Sequence, residues 1–116
     1  MAISGRWQGY WIQSCHGKRS MTVTLKFEQG IIEGDGIDCI GPFLFLGQYD
    51  SIGNVAMVKK YLGRHHVEYF GTYDGEGTIF GQWLIESLDS GTFAMKLESV
   101  DPDSSFHVIE AYAPVK

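Results

Sequence analysis

Residues 69–95 read YFGTYDGEGTIFGQWLIESLDSGTFAM, and this stretch decides the fold. Tyr69, Gly71 and Tyr73 alternate with other residues until Asp74-Gly75-Glu76-Gly77 reverses the chain. Ile79, Gly81, Trp83 and Ile85 alternate next, Asp89-Ser90-Gly91 reverses the chain again, and Phe93 and Met95 follow. Period-two apolar residues punctuated by Gly and Asp predict three strands of a half-buried antiparallel meander. The pattern extends outward in both directions.

Toward the N-terminus, Trp7, Gly9 and Trp11 share one face of a strand over 5–13, and 14–20 is expected to be a loop. Met21, Val23, Leu25 and Phe27 alternate with Thr22, Thr24, Lys26 and Glu28, after which Gln29-Gly30 turns the chain. Strands are predicted over 31–38, 43–49, 55–62 and 66–73, two of them apolar on both faces. Toward the C-terminus, 92–98 completes about eight strands, and no 3.6-residue period lasts ten residues. Short connections without a long return favour an up-and-down barrel over a Greek-key sandwich. The expected fold class is therefore all-β, a single antiparallel β-barrel over 1–100. Residues 101–116 form a C-terminal extension, either an extra strand or an arm.

The chain has 116 residues, seven Phe, six Tyr, three Trp and fifteen Gly, enough for one domain with one core. A formal charge of −5 opposes a nucleic-acid backbone or an anionic membrane surface as partner. No apolar run approaches the ~18 residues of a membrane span. No targeting segment is visible, so a cytoplasmic location is expected; removal of a signal peptide would leave the same sequence. Cys15 and Cys39 suit free thiols or one disulfide. In a meander, alternate loops share a rim, which would gather Cys15, His16, Asp38, Cys39, Arg64, His65, Glu86 and Asp89. Their spacing matches no compact metal pattern, and no metal or other cofactor is expected.

Ile79-Phe80-Gly81-Gln82-Trp83-Leu84-Ile85 resembles the seventh strand of the avidin and streptavidin family. Gly47-Gln48-Tyr49-Asp50-Ser51 resembles the end of that family's fourth strand, and Gly5-Arg6-Trp7 its opening Gly-x-Trp, whose tryptophan plugs one barrel end. The resemblance spans residues 3–98 and implies an avidin-like, broadly calycin-like barrel. It also implies that Trp83 packs on a ligand and that Asp38 falls near a ligand-loop serine. The family's asparagine after the first tryptophan is Gly9 here, and its third-strand tyrosine falls at Gly36. Its eighth-strand aspartate has no counterpart nearer than Asp103. Biotin is therefore not the expected ligand.

The expected function is non-catalytic binding of an apolar or amphipathic small molecule. The candidate ligand-binding residues are Trp7, Trp11, Asp38, Phe45, Tyr69, Trp83, Phe93 and Met95. In this reading Gly9, Gly36, Gly47, Gly71 and Gly81 leave room for the ligand, and Lys59 is either an anion contact or surface. The alternative is a filled barrel acting as a structural or protein-interaction module. A barrel enzyme using Tyr69, Glu68 or His66 is a third reading, although no nucleophile motif or phosphate loop supports it. Leu44, Leu46, Phe70, Phe80 and Leu84 fall on the nominal outer face. With Val58 or Met57 they predict a homodimer or tetramer.

Overall fold

The computed structural model describes residues 3–13, 17–86 and 89–100. The expected extension over 101–116 lies outside these residues, as do Cys15, His16 and Asp103. Eight strands follow in order: β1 (Gly5–Gln13), β2 (Gly17–Glu28), β3 (Ile31–Asp38), β4 (Pro42–Tyr49), β5 (Asn54–Tyr61), β6 (His66–Tyr73), β7 (Thr78–Ile85) and β8 (Asp89–Val100). Each pairs antiparallel with the next, and β8 pairs with β1, so the sheet closes into an up-and-down barrel. The all-β meander expected from the alternation is what the chain forms.

Inward residues follow the period-two pattern. β2 buries Met21, Val23, Leu25 and Phe27, and β5 buries Val55, Met57, Lys59 and Tyr61. Where a strand is apolar on both faces, the aromatic row turns in. Phe43 and Phe45 are buried, whereas Leu44 and Leu46 face outward. Hairpin geometry fixes the register at one end. Gln29 (φ 51°) and Gly30 (φ 82°) both take the left-handed conformation that a two-residue primed turn requires.

Two strands are longer than expected by several residues. β2 begins at Gly17, with Lys18, Arg19 and Ser20 opposite Ile12, Trp11 and Tyr10. β8 begins at Asp89, with Asp89, Ser90 and Gly91 opposite Ile85, Leu84 and Trp83. Lys18 and Ser20 are exposed and Arg19 half-buried, so pairing there is not accompanied by apolar alternation. Lys18 instead places its ammonium 4.1 Å from the centroid of the Tyr10 ring on the neighbouring strand.

The two ends of the barrel differ. At the end carrying the β2–β3, β4–β5 and β6–β7 turns, Trp7 is fully buried. Its indole donates to the Ile3 carbonyl at 3.1 Å. Phe27 and Tyr73 pack around Trp7 at ring-centroid distances of 6.1 and 6.4 Å. The buried Ser4 hydroxyl accepts from the Phe27 amide at 2.8 Å and ties the N-terminal segment across this end. Asp50 and Asp74 cap the neighbouring turns by accepting backbone amides two and four residues ahead. This end is plugged.

Candidate functional site

Among the described residues, no side chain plugs the other end in this way. That end carries the β1–β2, β3–β4, β5–β6 and β7–β8 connections, and below them lies a cavity of about 220 Å³. Trp11, Tyr61, Tyr69 and Trp83 form its aromatic wall, and Val67, Ile40 and Ile85 its aliphatic wall. Gln13 and His65 stand at the rim, where Gln13 donates to the Asp89 carboxylate. Trp11 and Trp83 meet edge to face, their ring centroids 5.9 Å apart at 80°.

Trp83 owes its position to Gly91 on the next strand. The Trp83 indole donates to the Ile12 carbonyl of β1 at 3.0 Å, although β8 lies between β7 and β1. A Cβ on Gly91 would sit 2.6 Å from Trp83 Nε1 and would also collide with the Ile12 carbonyl. Absence of a side chain at Gly91 thus lets the indole cross the intervening strand.

Beyond the two tyrosines lies a buried ion pair. Lys59 Nζ is 2.6 Å from Asp38 Oδ2, and both side chains have no exposure. Lys59 also donates to the Tyr69 hydroxyl at 3.2 Å, while Tyr61 donates to Asp38 Oδ2 at 2.5 Å. The ammonium sits in an aromatic cage, 4.3 Å from the Phe43 ring centroid, 5.0 Å from Tyr61 and 5.7 Å from Trp11. The second Asp38 oxygen reaches the rim, where Oδ1 accepts from the Ile40 amide at 2.9 Å. One carboxylate therefore joins the β3–β4 turn to the centre of the barrel.

These contacts set the protonation states. Burial pulls the Asp38 carboxyl upward. Hydrogen bonds from Lys59 and Tyr61, the Lys59 charge and the Ile40 amide outweigh it and hold the group below the usual carboxylate range. Burial lowers the Lys59 ammonium, against the hydrogen bond and charge of Asp38. Desolvation raises both Tyr61 and Tyr69, reinforced by the Asp38 charge, so both phenols keep their protons.

Of the residues anticipated from sequence, Trp11, Tyr69 and Trp83 stand on the cavity wall. Asp38 is buried behind it in the ion pair. Phe45 and Phe93 flank Tyr69 edge-on, at 5.2 and 4.7 Å, and buttress the wall without lining it. Met95 is buried in the core, and Trp7 plugs the opposite end. Glu68 and His66 alternate with buried Val67 and Tyr69, which places them on the outer face.

The interior glycines do not line the cavity. They make room for neighbouring side chains; a Cβ on Gly36, for instance, would lie 2.7 Å from the Phe43 ring. Two residues outside the anticipated set matter most. Lys59 belongs inside by the alternation Val55, Met57, Lys59, Tyr61, and Tyr61 closes the hydrogen-bonded group. Comparison with protein-family models and with curated protein sequences finds no match to the chain.

Proposed function

We propose that the chain is a non-catalytic small-molecule-binding barrel whose ligand occupies the cavity beside Trp11 and Trp83. The observation that carries this reading is a cavity of about 220 Å³ walled by four aromatic side chains at the unplugged end. An apolar protein cavity of about 150 Å³ accommodates benzene, so the expected occupant is a single ring with short substituents. The wall is mainly apolar with a few polar groups, which suits an amphipathic molecule. Biotin is not the expected ligand, because Gly9 and Gly36 carry no polar side chain for its ureido group.

Titration with one-ring aromatic and alicyclic compounds is expected to change tryptophan emission, since two of the three tryptophans line the cavity. Absence of a response across such a panel at millimolar concentration would favour the alternative of an interaction module without a ligand. Nanomolar binding of biotin would reverse the exclusion of that ligand.

The outer sheet supports self-association. Leu46 is 60% exposed, Phe70 48% and Phe80 49%, on β4, β6 and β7, with Leu44, Val58 and Leu84 beside them. Met57 is buried, so Val58 represents β5 on this face. Soluble monomers seldom expose this many large apolar side chains on neighbouring strands of one face. Light scattering is expected to give the mass of a dimer or tetramer, and Leu46→Lys with Phe70→Lys to reduce it to one chain. A monomeric mass for the unsubstituted protein would remove this part of the proposal.

A further inference from the structure

Two hydrogen-bond donors in this site have no acceptor among the described residues. Trp11 is 8% exposed, and its indole Nε1 is the buried side-chain nitrogen that lacks a partner there. Tyr69 is the second. An ammonium has three donors and no acceptor lone pair, so in the Lys59–Tyr69 contact the phenolic oxygen must accept. The Tyr69 hydrogen is then left over, and no acceptor within the described residues takes it. Lys59 polarises that O–H bond and makes it a stronger donor, as ionised neighbours do in hydrogen-bonded chains. Both residues line the same cavity.

A buried donor without a partner carries a desolvation penalty that an occupant with an acceptor relieves. Charge then limits what the acceptor can be. The buried Lys59 ammonium is already met by Asp38 at 2.6 Å, so an anionic ligand would bring an uncompensated charge into the barrel. Resting on the binding reading above, we propose that the ligand is a neutral carbonyl compound of single-ring size. Its oxygen accepts from Tyr69 and Trp11, and its ring packs against Trp83. Ketones, amides and lactones of this size meet the description, whereas hydrocarbons and carboxylates do not.

Acetophenone, ethylbenzene and benzoate separate these classes at nearly constant shape. Tryptophan emission and calorimetry are expected to show acetophenone binding about ten- to a hundredfold more tightly than ethylbenzene, as loss of one or two buried hydrogen bonds implies, and more tightly than benzoate, whose charge no free cation among the site's described residues would meet. The carbonyl stretch of bound acetophenone is expected to fall below its frequency in an apolar solvent. In Tyr69→Phe, which keeps the ring between Phe45 and Phe93, that shift should shrink and the preference over ethylbenzene narrow about tenfold.

Equal binding of acetophenone and ethylbenzene to the unsubstituted protein overturns the carbonyl assignment while leaving the cavity reading intact. Tightest binding of benzoate overturns neutrality in the same way. Failure of all three to bind removes both readings. These comparisons on the unsubstituted protein decide the matter even if Tyr69→Phe does not fold.

Discussion

Lys59→Ala is expected to lower the free energy of unfolding by about 3–5 kcal/mol, the range for removing one partner of a buried ion pair. Asp38 would keep the Tyr61 hydroxyl and the Ile40 amide but lose the ammonium that opposes its charge. The double variant Asp38→Asn with Lys59→Met is expected to recover most of the loss. It removes both charges, fills the space of the lysine stem, and leaves an amide oxygen to cap the turn. Acid supplies a second readout. Asp38 is depressed below its unfolded value of 3.8, so its contribution is complete well above that pH. The contribution fades as the pH falls through 3.8 toward the lower folded value, and this acid dependence should flatten in the double variant. Urea denaturation across this pH range measures both. A loss below about 1 kcal/mol for Lys59→Ala would mean that the ammonium reaches water in solution.

Trp7→Ala is expected to cost about 3–5 kcal/mol, the range for truncating a buried tryptophan. The indole plugs the closed end, donates to Ile3 and packs against Phe27 and Tyr73, so no neighbour is placed to refill its volume. Trp11→Ala is expected to cost less, because Trp11 already borders a cavity and its indole makes no hydrogen bond among the described residues. The ligand response should behave in the opposite way, surviving Trp7→Ala and weakening in Trp11→Ala. Thermal melts and emission titrations of the two variants measure the contrast. Equal destabilisation with equal loss of response would mean that the two ends are not functionally distinct.

Much of the barrel could be read from alternation, because a strand with one face in a core must repeat every second residue. β1, β3, β6 and β7 begin and end where the pattern does. β2 and β8 run further because polar residues pair there without an apolar face to mark them. Alternation marks Trp11, Tyr69 and Trp83 as inward, but it marks Trp7, Phe45 and Phe93 equally, so it does not say which of them border the cavity. The Asp38–Lys59 pair is not legible, because it spans β3 and β5 with β4 between them, and no sequence spacing encodes a contact across a lumen. The glycines mislead for a related reason. Gly36 looks like vacant space in the sequence, yet the Phe43 ring of the next strand stands where its Cβ would be.

The β1–β8 seam bears on how this molecule is made. Seven of the eight strand pairings join neighbours in sequence, but the last brings Gly5 opposite Val100. Hairpins form locally and quickly, whereas bringing distant segments together bears the loop-closure entropy before any contact repays it. Trp11 lies on one side of this seam and Phe93 on the other, directly opposite each other. The Trp83–Ile12 bond spans the same junction. The cavity is thus complete only when this seam has closed. A partly folded chain can hold every hairpin of the meander and still have no ligand site, so a ligand would select for the closed ring and slow its reopening.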